Sequence, residues 1–591
     1  MGRHRKKDVG AIVRKSGVSF RVWAPFAEHV SVTGSFNDWG LTDMQSEGDG
    51  YWTVDVPTAE AGQEYKYVIK NGDKTLTKND PRALQVTTTG GNSVIVDPEF
   101  DWEGSQRQAI PFNQQVIYEL HIGTFNRPDP ATTGTFASAA EKLDYLAALG
   151  VTTLEIMPVA TMSMTREWWG YTPDYIYAVE ALYGGRRQFL EFIKAAHARG
   201  MAVILDVVYN HLGPDSSLDI WQFDGWSQDD KGGIYFYNDW RSKTPWADTR
   251  PDYGRPEVRQ YILGNIRMWL NDFRLDGLRV DSTIFIRNAK GNNDDPGNDL
   301  PDGWYLLQKI TDLARKIEPA ALVIAEDVGA NGYITLPVNK GGAGFSSQWS
   351  TNLPHALRGV LDAVNDADRN LLGLCDELWA NYRAGTFYRV VYSDSHDTAA
   401  NGGARLNEEI TPGNPGSLYA RQRSLLASVV VLTAPGIPML LQGQEFMQGG
   451  SFSDWQALEW EKAEQFKGIV EATRHLVALR KNMHGNTVGL IGNSFNILHV
   501  DDGQKVLAYH RWQDGGPGDD VVVVLNFANK LYEDYKLPLP RDGEWRVRFS
   551  SAWSGYSPDF KDIALGNITA ENGLATFKLP PYSALILSQG D

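Results

Sequence analysis

Three short segments, far apart in the chain, each deliver a carboxylate at the end of an apolar run of strand length. They are Asp276-Gly-Leu-Arg-Val-Asp281, Ile324-Ala-Glu326-Asp327 and Ser393-Asp-Ser-His396-Asp397. Two carboxyl groups flanking a glycosidic bond are the minimum equipment for cleaving it. Asp281 is the expected nucleophile. Arg279 lies two residues earlier, so on a strand both side chains share one face, and a guanidinium there would keep the carboxylate ionised and oriented. Glu326 is the expected general acid, which must hold a proton before attack; its apolar approach, Leu322-Val-Ile-Ala325, supplies the desolvation that raises a carboxyl pKa. Asp327 beside it points the other way. Asp397, preceded by His396, is a third acid, suited to holding sugar hydroxyls around an oxocarbenium-like transition state. The strand Val203–Val208 leads to Asp206, Asn210 and His211, an acid, an amide and an imidazole within reach of a sugar. Alone, the His396-Asp397 pair and the Asp206, Asn210 and His211 cluster read more readily as structural polar groups. Four such segments, in order on successive strands, are specific.

A barrel of alternating strands and helices would position them, because all its strand ends face one mouth. From Val116 the chain alternates in that way. Strands are expected at Val116–His121, Thr152–Pro158, Met201–Val208, Leu278–Val280, Ala321–Ala325, Tyr388–Tyr392 and Ile437–Leu441, with a weakly marked one near Gly344–Trp349. Helical periods fall at Ala137–Leu149, Arg187–Arg199 and Glu257–Phe273. The repeat predicts an α/β fold, a (β/α)8 barrel over residues 111–485. Residues 210–252, dense in Trp, Asp and Gly, form an insertion too long for a plain loop, of the kind that builds a substrate cleft. Short alternating strands at Ser19–Trp23, Val30–Thr33, Tyr51–Val56 and Glu64–Ile69 predict an N-terminal β-sandwich over residues 1–100, joined by a linker at Phe100–Phe112. A second β-sandwich is expected over 491–591, with strands at Lys505–Arg511, Asp520–Asn526, Trp545–Phe549, Ala575–Leu579 and Ala584–Ser588.

The chain has 591 residues, enough for two to four domains, and a globular composition with 42% apolar and 22% charged residues. Its formal charge of −17 argues against a nucleic-acid partner, which needs a basic surface. No apolar stretch is long enough to span a membrane. Cys375 is the only cysteine, so no intramolecular disulfide can form, and the basic start Met1–Lys7 is not followed by an apolar signal core. A cytoplasmic protein is expected; nothing in the sequence assigns an oligomeric state.

The four segments together resemble the signature motifs of the α-amylase superfamily, glycoside hydrolase family 13. Asp206-Val-Val-Tyr-Asn-His211 is similar to its first motif, Gly277-Leu-Arg-Val-Asp281 to its second, Ala325-Glu326-Asp327 to its third and Ser395-His-Asp397 to its fourth. The resemblance implies Asp281 as nucleophile, Glu326 as acid/base and Asp397 as transition-state stabiliser. It also implies sugar contacts from Tyr171, in Trp169-Gly-Tyr171, and from Asp206, His211, Arg279 and His396. The implied substrate is an α-glucan, cleaved with retention of configuration through a covalent glucosyl-enzyme. No cofactor is required; calcium is an option the resemblance leaves open, with Asn210 in the place of a ligand and Asp215–Asp230 as a source of oxygens. The N-terminal unit resembles the family's starch- and glycogen-binding module through Phe20-Arg-Val-Trp-Ala-Pro25 and Gly34-Ser-Phe-Asn-Asp-Trp39. Trp39 is a candidate sugar platform, while Lys70–Lys74 offers no second one, so a structural brace is an equal expectation. Three activities fit this domain order. Hydrolysis of α-1,4-glucans with some transfer is the leading expectation, followed by 1,4-α-glucan branching and by release of trehalose from maltooligosyl-trehalose. A non-catalytic glucan-binding protein is the alternative outside catalysis.

Overall fold

A computed structural model describes residues 8–88, 90–162, 169–214, 216–563 and 566–590. Eight parallel strands close into a barrel: β1 (Ile117–Leu120), β2 (Thr153–Ile156), β3 (Ala202–Val207), β4 (Gly277–Val280), β5 (Leu322–Ala325), β6 (Ser347–Trp349), β7 (Arg389–Val391) and β8 (Ile437–Leu441). Closure is made by β1 pairing with β8, Ile117 opposite Met439. Every residue of these strands is buried, as expected of a sheet covered by helices outside and filled by side chains within. Close approach of backbones demands Gly277 at the start of β4, where a Cβ would meet the Leu322 carbonyl oxygen at 1.9 Å. The weakly marked sixth strand falls within its expected stretch, only three residues long.

The helices differ from their periodicity in two places. The period over Ala137–Leu149 resolves into Phe136–Ala140 and Leu143–Leu149, with Thr135 and Ser138 capping the first piece reciprocally. That over Glu257–Phe273 becomes an α-helix at Pro256–Arg267 followed by a π-turn at Met268–Asp272, which buries Trp269. The apolar run Leu425–Leu432 lies inside the helix Leu418–Thr433, buried between barrel and C-terminal domain.

The N-terminal unit packs a four-stranded sheet, in which Gly17–Trp23 pairs with Gly10–Arg14 and Tyr51–Val56, against a second sheet built on His29–Gly34 and Glu64–Asn71. The C-terminal domain is an eight-stranded antiparallel arrangement. It contains the five expected strands and three more, Ser494–Asp501, Tyr532–Pro538 and Ile568–Glu571. Tyr532–Pro538 escapes a pattern search because its pairing shifts register between Tyr532 and Tyr535, which breaks the alternation of burial. Among the described residues no helix is long and apolar enough to cross a membrane.

Candidate active site

The site is assembled around one buried guanidinium. Arg279, on β4, is fully buried and reaches three carboxylates: Nη1 lies 2.7 Å from Asp206 Oδ2 and 2.8 Å from Asp281 Oδ1, and Nη2 lies 3.1 Å from Glu326 Oε2. The strand register explains the gathering, since Asp206 on β3 sits opposite Arg279 on β4. Asp281 and Glu326 follow directly after β4 and β5. Trp349, from β6, closes the other side, its ring 4.3 Å from the guanidinium carbon.

Asp281 is held at both oxygens. Arg279 takes Oδ1, and the Asn210 amide donates to Oδ2 at 2.7 Å and to the backbone carbonyl at 3.1 Å. The next residue, Ser282, adopts the left-handed region (φ 41°), a strained conformation for a residue with a side chain. The strain turns its N–H onto Glu326 Oε2 at 2.7 Å. Burial raises both acids, Asp281 to about 6 and Glu326 to about 7, with the Arg279 charge opposing each shift. Asp327 points away, as its place on the strand requires, into a buried bidentate pair with Arg287 at 2.8 and 2.9 Å.

Asp397 lies at the open edge, its side chain 44% exposed, with His396 Nε2 3.5 Å away. The His396 ring is stacked on Tyr171 at 5.2 Å, and the Tyr171 hydroxyl donates to Asp206 at 2.5 Å. His211 shares a hydrogen bond with Asn210 through Nδ1 and stacks on Trp246 at 4.9 Å. Burial pushes His211 down to about 4, so its ring is neutral. Asp206 Oδ1, His211 Nε2 and Trp169 Nε1 are buried and make no hydrogen bond. Buried polar atoms left so are what sugar hydroxyls would satisfy. All eight sugar-site and catalytic candidates, Tyr171, Asp206, His211, Arg279, Asp281, Glu326, His396 and Asp397, therefore converge at the mouth.

Asn210, the possible calcium ligand, donates its amide to Asp281 and turns its carbonyl oxygen to His211. Asp215 falls outside the described residues. Asp219 takes the Asn79 amide and the Tyr175 hydroxyl, and Asp224 takes the N–H groups of Phe26 and Trp226. Among the described residues no three acidic, His or Cys side chains stand together as a metal cage.

Glu119 and Glu155, on β1 and β2, were missed. Both are 1% exposed, and Glu119 binds His396. A signal existed in each: a lone acid inside an otherwise apolar strand of a barrel has no solvent to face.

Comparison with known proteins bears on the family and the fold. A model of the α-amylase catalytic domain matches residues 120–218, one of carbohydrate-binding module 48 (isoamylase N-terminal domain) matches 1–83, and one of the α-amylase C-terminal all-β domain matches 497–590. A malto-oligosyltrehalose trehalohydrolase of Saccharolobus solfataricus is 31% identical over 465 residues, 74% of this chain and 75% of that protein. A 1,4-α-glucan branching enzyme of Mesorhizobium japonicum is 29% identical over 625 residues, 99% of this chain and 81% of that one. A pullulanase from Anoxybacillus sp. LM18-11, solved with maltotetraose, shares the fold at a TM-score of 0.77 and 21% identity, covering 99% of this chain and 87% of that one. The chain belongs to the α-amylase superfamily of glucan-active enzymes.

Proposed function

We propose that this enzyme cleaves α-1,4-glucosidic bonds of starch- and glycogen-type chains with retention of configuration, handing the glucosyl group chiefly to water. The observation that carries the reading is the single guanidinium of Arg279 spanning Asp281 and Glu326, which holds nucleophile and acid on one reacting centre. Asp281 attacks the anomeric carbon while Glu326 gives its proton to the departing oxygen. Glu326, now a carboxylate, then takes a proton from the acceptor that releases the sugar from Asp281. Asn210 and Arg279 fix the attacking oxygen's orientation, a positioning term that removes entropy from the barrier. The Asp397 side chain is 44% exposed, which leaves an approach open to an acceptor on that side.

Transfer to a sugar 6-hydroxyl, giving a branch, is the second reading, supported by similarity to a branching enzyme across 99% of the chain. One product analysis on amylose tests both. Hydrolysis raises reducing ends and yields short maltooligosaccharides. Falling iodine stain with flat reducing ends and new α-1,6 signals by proton NMR would replace it with branching. Release of free trehalose from a maltooligosyl-trehalose, with amylose ignored, would replace both. Asp281→Asn must abolish the activity in every case.

A further inference from the structure

We propose that Glu119 is a positioning residue, which clamps His396 as a charged donor beside Asp397, across from the buried acid Glu155 on the neighbouring strand. The inference rests on His396 and Asp397 belonging to the site described above. Glu119 takes His396 at two points. Its Oε1 lies 2.5 Å from ring Nδ1, and its Oε2 accepts the backbone N–H at 3.1 Å. The other ring nitrogen, Nε2, faces Asp397 Oδ1 at 3.5 Å. Nδ1 is hydrogen-bonded to one carboxylate and Nε2 has a second within ion-pair distance, a setting that suits the imidazolium, the form with an N–H on both nitrogens.

Glu119 is itself 1% exposed, inside the barrel. Glu155 stands directly opposite it on the neighbouring strand, is 1% exposed, and leaves Oε2 without a hydrogen-bond partner. Two such acids on adjacent strands cannot both ionise cheaply. Glu119 has a donor at each oxygen, whereas Glu155 Oε2 has none, and burial presses Glu155 towards its protonated form. The groups facing His396 are Glu119 from β1, Asp397 from its own loop, Arg279 from β4, Glu155 from β2 and Tyr171 stacked on the ring. Burial and the Arg279 charge oppose a charged ring. Asp397 and Glu119 outweigh them and push His396 up to about 10, while burial and Glu119 drive Glu155 well above the carboxylate range.

Histidine-labelled enzyme, followed by 15N NMR against pH, tests the clamp. In the wild-type enzyme both His396 nitrogens should stay protonated to about pH 8 or beyond, far above the ordinary imidazole range of about 6.5. In Glu119→Gln the midpoint should fall by about two units or more. Glu155→Gln, which has the shape and charge of the protonated acid, should leave the His396 midpoint in place. A neutral His396 in the wild-type enzyme at pH 8, or an unmoved midpoint in Glu119→Gln, overturns the proposal. If Glu119→Gln does not fold, the wild-type titration decides alone. The NMR readout needs no turnover, so a failed clamp is distinguishable from a failed assignment of activity, which would show as turnover surviving Asp281→Asn.

Discussion

Arg279 is the residue on which the charges of the site balance. Three carboxylates share its guanidinium, so none of them is a lone buried anion, yet burial leaves Asp281 and Glu326 easier to protonate than acids in water. The consequence is a narrow pH window. Asp281 must be ionised, so activity is lost as pH falls through about 6; Glu326 must be protonated, so it is lost as pH rises through about 7. A bell-shaped kcat/KM with both limbs in slightly acid to neutral solution is the expected outcome of a pH–rate profile, and a flat plateau from pH 5 to 9 would contradict it. Glu326→Gln should lower kcat on amylose by about 10²–10⁴. The same variant should lose much less in kcat/KM on an aryl maltoside whose leaving group needs no proton, since kcat/KM reports the first step and not the base-assisted release from Asp281.

At the scale of elements, the insertion over 210–252 stays in place through the N-terminal unit. Lys74 Nζ donates to the Gly225 carbonyl at 3.0 Å, Lys78 Nζ to Trp221 at 3.1 Å and Asn71 Nδ2 to Asp224 at 2.9 Å. Phe26 stacks on Trp226 at 4.6 Å. The hairpin around Lys70–Lys74, where a second sugar platform was sought, is thus occupied in bracing the insertion, while Trp39 remains 45% exposed. Asp224 is the keystone, fully buried and accepting the N–H groups of Phe26 at 2.9 Å and Trp226 at 3.2 Å. Asp224→Ala leaves those part-buried donors without their acceptor, a cost of about 1 kcal/mol. Faster proteolytic nicking within 210–252, and a raised KM with kcat less affected, are the expected results.

Across the whole molecule, barrel and C-terminal domain are joined by two buried arginines that bind carbonyl oxygens. Arg511 donates to Thr433 at 2.7 Å and Gly492 at 2.9 Å, and Arg480 to Gly436 at 2.9 Å and to Leu490. Gly436 directly precedes β8, so the seam reaches the barrel wall. Burial pulls the two guanidinium pKa values down, to about 10 for Arg511 and about 9 for Arg480. Arg511→Met removes a charged donor from several carbonyls at once and should cost about 2–3 kcal/mol of local stability. Hydrogen exchange around Leu490–Gly492 should quicken accordingly, while the barrel strands keep their protection. Exchange that is unchanged there would mean that the apolar packing of the Leu418–Thr433 helix holds the seam unaided.

The acids at strand ends, the strand–helix rhythm and the flanking short strands are local features, fixed by residue type and period, and they were legible in the chain itself. Asp281, Glu326 and Asp397 could be singled out because each closes an apolar run, and Arg279 because a two-residue spacing shares a face. The pairing partners could not be read in that way. Barrel closure brings Glu119 to His396 across 277 positions of sequence and Glu155 to Glu119 across one strand gap, and the strained turn at Ser282 places an N–H on Glu326. Sequence decides which side chains can carry charge; only the tertiary packing decides which of those charges meet without water between them, and so which acid keeps its proton.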